Sequence, residues 1–113
     1  MNGRDSAYYE ALIAAGGIIV AAVGDEVLGY VEAPPGEITR LFLRPDAAGQ
    51  GLGRRLLERG VAMAGGGEIR LNATLNAAPF YEHCGFIPLG RELYSHGGGN
   101  KPVEIVKMIR SGA

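Results

Sequence analysis

Hydrophobic positions along the chain come in two rhythms. Ile18 to Val23 and Val27 to Ala33 are short, nearly unbroken apolar runs on either side of Gly24-Asp25-Glu26. Such a pair reads as two antiparallel strands joined by a hairpin turn. Pro34-Pro35-Gly36 breaks the chain, and Glu37 to Leu43 follows as a third strand that stops before Pro45, a residue without an N–H to continue a ladder. From about Gly51 to Met63 the period changes. Leu52, Leu56, Gly60 and Met63 fall on one side while Arg54, Arg55, Glu58 and Arg59 supply the other, as in an amphipathic helix. Gly65-Gly66-Gly67 ends it. Ile69, Leu71 and Ala73 then alternate with Arg70, Asn72 and Thr74, the pattern of a half-buried strand. Asn76 is placed to cap a second short helix reaching Cys84, with Pro79 tolerated as its fourth residue and Gly85 stopping it. Phe86 to Leu93 and Val103 to Arg110 are the last strands, joined by Gly97-Gly98-Gly99-Asn100. At the start, Asp5 or Ser6 caps a predicted helix to about Ala15, with Tyr8, Leu12 and Ala15 on one side and Gly16-Gly17 at its end.

A strand, a helix and a second strand in succession imply a right-handed parallel crossover. The hairpins on either side are antiparallel, so the expected class is α/β (α+β), one domain over residues 1–113 with a mixed sheet. Composition narrows the partners. A net charge of −1 leaves no electrostatic footprint for a nucleic acid. No apolar run approaches the ~20 residues of a membrane span, and the first residues lack the basic start and apolar core of a signal peptide. The single Cys84 cannot form an internal disulfide. A cytoplasmic protein is the expectation.

The chemistry concentrates in Leu43-Arg-Pro-Asp-Ala-Ala-Gly-Gln-Gly-Leu-Gly-Arg-Arg-Leu-Leu57. Glycines at 49, 51 and 53 let the backbone turn and approach a ligand, and the first amides of the following helix have no partners inside it. The helix dipole adds partial positive charge there, and Arg54 and Arg55 add full charge. The arrangement suits a pyrophosphate. A P-loop requires Gly-Lys-Ser/Thr, which Gly53-Arg54-Arg55 is not, and the third glycine of a dinucleotide fingerprint is missing.

What remains, Gln50-Gly51-Leu52-Gly53-Arg54 after a strand ending in x-Pro, resembles the acetyl-coenzyme A loop of the GNAT superfamily of N-acetyltransferases, written Arg/Gln-x-x-Gly-x-Gly/Ala. Downstream, Asn76-Ala-Ala-Pro-Phe-Tyr-Glu-His-Cys-Gly-Phe86 is similar to a second GNAT motif, Asn-x-x-Ala-x-x-x-Tyr-x-x-x-Gly-Phe, with one residue fewer between Asn76 and Tyr81. The resemblance covers residues 18 to 110. It implies a mostly antiparallel GNAT-type sheet with the parallel crossover around the glycine-loop helix, flanked by helices. Family members begin with a strand and one or two helices before the hairpin, whereas only one helix is predicted before Ile18, so the first strand and first helix are expected to be lacking. That would leave the Ile18–Val23 strand with an open edge, which a homodimer could cover.

The resemblance also implies roles. The main chain of Leu41, Phe42 and Leu43 would pair with the pantetheine arm of acetyl-coenzyme A, and an N–H there, that of Leu43 first, would receive the thioester oxygen as it gains charge. Gln50, Gly51, Leu52, Gly53, Arg54 and Arg55 would hold the pyrophosphate, the two arginines not equally, since consecutive helical residues point about 100° apart. Asn76 would bond the pantetheine or phosphate arm, or serve only as a cap. Tyr81 sits where the family has its general acid, and a phenol can donate a proton at pH 7; the other reading is a buried aromatic beside Phe80. A lysine-like acceptor must lose a proton, at a cost of about 4.6 kcal/mol at pH 7. Glu37 is placed to act as the base if it lies in a partly dry cleft; otherwise it is an exposed strand start. His83 and Cys84 have no second pair at metal-ligand spacing, so no metal is expected. His96 precedes a glycine-rich loop that could border the acceptor. The implied function is acetyl transfer to a primary amine of a small molecule or peptide by direct attack in a ternary complex. The rivals are a domain that binds acyl-coenzyme A or a partner without turnover, and an unrelated nucleotide-binding module.

Overall fold

The computed structural model describes residues 12–49, 51–94 and 102–111. Strands β1 (Leu12–Ala15), β2 (Ile18–Val23), β3 (Glu26–Glu32) and β5 (Arg40–Leu43) form one sheet in that order, antiparallel throughout. A second sheet has the order β4 (Glu37–Ile38), β6 (Glu68–Thr74), β8 (Val103–Ser111) and β7 (Ile87–Tyr94). Its β4–β6 pair is parallel and its other pairs antiparallel. Helix α1 (Leu52–Ala64) crosses from the first sheet to the second, and α2 (Ala78–His83) joins β6 to β7.

The helix expected to reach Ala15 is replaced at its end by β1, which pairs with β2 from Leu12↔Ala21 to Ala15↔Ile18. Gly16 and Gly17, at φ 62° and 86°, are the two central residues of a hairpin turn and not a helix stop. Turns with both central φ positive match the twist of paired strands and favour glycine. Leu-Ile-Ala-Ala is too short to distinguish the two periods by itself. The earlier part of the predicted helix lies outside the described residues. A strand thus precedes the β2–β3 hairpin where the first strand was expected to be lacking, and it covers the edge of β2. With β1 paired to it, β2 has no open edge there for a homodimer to cover.

The third predicted strand, Glu37 to Leu43, is two strands. Glu37 and Ile38 pair with Arg70 and Leu71 of β6, whereas Arg40 to Leu43 pair with β3. Thr39 marks the change. Its N–H donates to the Glu32 carbonyl at 2.9 Å, and its Oγ1 donates to the Glu32 carboxylate at 2.7 Å, drawing the chain towards β3.

One face of both sheets is covered by the helices. Leu52, Leu56, Leu57 and Val61 of α1 are buried against Ile19, Val31, Ile38, Ile69 and Leu71. Burial of each such side chain contributes ~1.5–3 kcal/mol, enough to hold a helix that carries two glycines costing about 1 kcal/mol apiece. In β6 the predicted alternation holds, with Ile69, Leu71 and Ala73 inward and Glu68, Arg70, Asn72 and Thr74 outward. Pro88 is accommodated because β7 is an edge strand with a register shift there. Helix α2 begins later than predicted. Pro79 falls in its first two positions, and Thr74, not Asn76, satisfies the Ala77 amide at the turn before it, through Oγ1 at 3.2 Å.

Arg110 of β8 ties these layers together. Its guanidinium bonds both carboxylate oxygens of Glu58 on α1 at 2.7 and 2.8 Å, donates to the Cys84 carbonyl at the end of α2 at 2.9 Å, and lies over the Phe86 ring. The hydrogen bond from Arg110 is the main cause of a lowered Glu58 pKa. As pH falls, the unfolded chain takes up a proton at this position first. The contribution of the pair is therefore full above the ordinary glutamate range and is lost on acidification through the folded-state pKa. In Arg110→Met, acid unfolding followed by circular dichroism should lose that part of its pH dependence. A second expectation concerns Gly29, where an added Cβ would stand 2.4 Å from the backbone oxygen of Phe42. Gly29→Ala should cost about 1–3 kcal/mol in urea melts, with Gly66→Ala, which meets nothing within 4 Å, near neutral.

Candidate active site

The divergence at Thr39 opens a gap between β5 and β6. Arg44 N–H donates to the Leu28 carbonyl at 2.8 Å, which makes Leu28 and Arg44 a hydrogen-bonded pair continuing the β3–β5 register. Bonded pairs alternate in an antiparallel ladder, so Phe42 bonds across to Tyr30, while Leu41 and Leu43 turn their N–H and C=O groups away from β3. On the other wall, Arg70 N–H donates to the Gly36 carbonyl at 3.0 Å. By the same alternation, Asn72 and Thr74 direct their main chain towards the gap. The open β5 edge of Leu41 and Leu43 faces this wall, where the Thr74 carbonyl is already taken by the Ala77 N–H at 3.1 Å, a geometry suited to an extended ligand bonded to β5 as an added strand.

The gap leads to the start of α1. Gly51 is the N-cap at φ 80° and has no side chain to cap the helix, so the first-turn amides of Leu52, Gly53 and Arg54 stay available. Gly49, at φ 84°, also requires the left-handed conformation. Gly53 differs. An added Cβ there would make ordinary contacts, 3.5 Å from the Leu43 side chain and 3.7 Å from Phe80. Its role is to seat the helix start between β5 and α2.

Of the other sequence-predicted residues, Gln50 lies outside the described residues. Leu52 is buried, so only its main chain can serve a ligand. Phe42 has its main chain committed to β3 and its ring exposed, 5.7 Å from that of Tyr30 on the face away from the helices. Arg54 and Arg55 are both exposed on α1. Arg44 is held by Asp46 and Glu26, which draws its charge away from the loop. Asn76 is exposed in the turn before α2. His96 lies outside the described residues.

Tyr81 packs edge-on against Phe80 and Phe86, with centroids 5.2 and 6.0 Å away. Burial, with a smaller contribution from nearby Cys84, pushes its pKa above the ordinary tyrosine value of 10.0. The phenol therefore keeps its proton at neutral pH. Cys84 is buried and its thiol pKa is raised by burial, as expected of a small packing residue and not of a nucleophile. Glu37 is on the opposite side of the sheet. Its neighbour Ile38 is buried under α1, and successive strand residues point to opposite faces. Glu37 is exposed and borders a pocket with Arg70, Asn72 and Lys107, so the dry cleft demanded of a base is not formed around it by the described residues. Tyr81 and Glu37 thus approach the gap from its two faces. Only a reaction spanning the gap would use both. Among the described residues no group of acidic, histidine and cysteine side chains is arranged to hold a metal ion.

The site could not be assembled from sequence alone at three points. Thr39, Gly29 and Arg110 shape the gap or its walls. Each looks unremarkable along the chain, because its partner is a distant carbonyl, carboxylate or backbone atom.

The family model for the acetyltransferase (GNAT) domain matches residues 4–107. The peptidyl-lysine N-acetyltransferase YjaB of Salmonella typhimurium is 31% identical over 86 residues, which are 75% of this chain and 58% of that protein. The solution structure of apo YjaB from Escherichia coli superposes with a TM-score of 0.70 at 30% identity, over 85% of this chain and 65% of that one. A GCN5-related N-acetyltransferase from Rhodopseudomonas palustris shares the fold with a TM-score of 0.75 at 23% identity, over 83% of this chain and 60% of that one. A Bacillus anthracis protein provisionally called a streptothricin acetyltransferase, solved with acetyl coenzyme A, shares it with a TM-score of 0.70 at 20% identity, over 91% of this chain and 67% of that one. The chain therefore spans about three fifths of the length of its curated relative. With the family model matching nearly the whole sequence, this chain belongs to the GNAT acetyltransferase family.

Proposed function

We propose that this domain transfers an acetyl group from acetyl-coenzyme A to a primary amine of a small molecule or peptide, by direct attack while both are bound. The observation that carries this reading is the open peptide edge of Leu41 and Leu43 running into the uncapped start of α1. An acyl-pantetheine arm needs extended peptide donors and acceptors, and a diphosphate needs convergent amides. The open edge and the uncapped helix start follow one another along the chain, which supports this reading. The donor supplies an acetyl group activated as a thioester.

The residues of the chain do the rest. Leu41 and Leu43 bond the arm through their main chain. One of their N–H groups receives the carbonyl oxygen as it gains charge. The amides of residues 51 to 54 and an arginine, Arg54 or Arg55, hold the diphosphate, and Asn76 bonds the pantetheine or phosphate arm. Tyr81 keeps its proton and donates it to the departing sulfur. Glu37 takes the proton of the amine, through ordered water. At ~3.3 Å per strand residue, it lies about 13 Å along the chain from Leu41 and about 20 Å from Leu43. That distance favours Leu41 over Leu43 as the oxygen-binding N–H.

The second reading is a domain that holds acyl-coenzyme A, or docks a partner, without turnover. The exposure of Glu37 favours it, because a base without a desolvated setting gains little over water. Thiol release from acetyl-coenzyme A with a panel of amines separates the two. Release is expected, whereas heat of binding in calorimetry without release from any amine would favour the second.

Tyr81→Phe should lower kcat about tenfold or more while leaving KM for acetyl-coenzyme A nearly unchanged, because the lost proton acts only in the transition state. Because the Tyr81 pKa is raised, the group is in its donating form throughout the neutral range, and the rate should show no loss from its ionisation between pH 7 and 9. Gly51→Ala should weaken acetyl-coenzyme A binding by forcing a side chain into a left-handed position, at about 1 kcal/mol or more. Gly53→Ala should retain binding, since its Cβ meets only ordinary contacts.

A further inference from the structure

The face of the second sheet away from the helices holds a pocket of about 380 Å³, at the low end of the ~300–1,000 Å³ of small-molecule sites. The register places its charges. One row across the sheet is Glu37, Arg70, Ile109, Ile87, and the next is Asn72, Lys107, Gly90. Glu37, at the point where β4 and β5 part, donates its main-chain N–H to the Pro34 carbonyl at 3.1 Å, while its carboxylate has no hydrogen bond or ion pair among the described residues. Arg70 is 74% exposed and has only a 3.9 Å contact with Glu68, and Lys107 shares Glu92 at 3.5 Å. Beside Lys107, Gly90 offers no side chain, and nothing stands within 4 Å of where its Cβ would be. The register shift at Leu89 turns that side chain into the wall.

We propose that this pocket selects the acceptor, and that the acceptor is a small molecule carrying a carboxylate as well as the amine. This rests on the acetyltransferase reading above. Glu37 borders the pocket and reaches the amine at the mouth of the gap through ordered water. Arg70 and Lys107, one and two strands further on and so about 5–10 Å away, face the carboxylate. Leu89 and Ile109 take the methylenes between. A polyamine would set a second cation against Arg70 and Lys107, a like-charge cost offset only in part by Glu68 beside Arg70 and Glu92 beside Lys107.

The test compares ω-amino carboxylates of increasing length, 6-aminohexanoate among them, with their amides and with spermidine, by thiol release from acetyl-coenzyme A. The carboxylates should have a KM about three- to tenfold below the amides, as expected for partly exposed charge pairs. The difference should close in Arg70→Gln/Lys107→Gln. Equal KM values, a preference for spermidine, or a difference that survives in the double variant would each overturn the proposal. An NMR titration with 6-aminohexanoate reads the pocket independently of turnover. Shifts at Gly90 and Lys107 without thiol release would support the pocket and place the fault in the assigned activity. Release with other amines and no such shifts would overturn the pocket alone, and neither shifts nor release would overturn it as well.

Discussion

Everything at the candidate site depends on a single strand changing partners. Peptide groups leaving one ladder must find another or face solvent, and at Thr39 the chain solves this by bonding back to Glu32 while its first two residues stay with β6. The loss of β-pairing between β5 and β6 is the cost, and an open edge of backbone donors and acceptors is the result. An enzyme that must bind an extended, amide-bearing arm gains from such an edge. A purely structural sheet would close it.

Around the gap, the packing keeps the two walls apart and in register. Helix α1 lies over both sheets, with its start at Gly53 wedged between the Leu43 side chain and Phe80. Arg110 binds the end of α2 to α1 through Glu58 and the Cys84 carbonyl. Tyr81 is therefore carried on a short helix held at its C-terminus, beside the loop that begins α1. A helix of six residues has little stability alone, so its placement is a property of these contacts. The aromatic trio of Phe80, Tyr81 and Phe86 desolvates the phenol and keeps it protonated.

The two faces of the sheet have different characters. The helix-covered side holds the core and the phenol, while the other is polar and charged with apolar side chains exposed at Phe42, Ile87 and Leu89. In the reaction proposed above, the donor would lie on one side of the gap and the acceptor on the other, so the two substrates would not compete for the same space.

The periods along the chain determined most of the elements. The hairpin of β2 and β3, the amphipathic α1, the alternating β6 and the two final strands are local patterns, and local patterns are written in consecutive residues. The glycine loop and the Asn76 to Phe86 stretch pointed to the candidate site for the same reason, since a tight turn and a helix start require particular residue types at fixed spacing. Tertiary structure decided the remainder. Leu12–Ala15 is a strand because Gly16-Gly17 folds it onto β2, and four apolar residues carry no period of their own. Glu37 to Leu43 divides in two because its halves pair with strands on opposite sides, β3 and β6, and the run itself reads as one strand. The pairing of Arg110 with Glu58, 52 residues away, and the placement of Tyr81 and Glu37 on opposite faces follow from the path of the chain in space. No spacing in the sequence encodes a contact whose partner is chosen by packing.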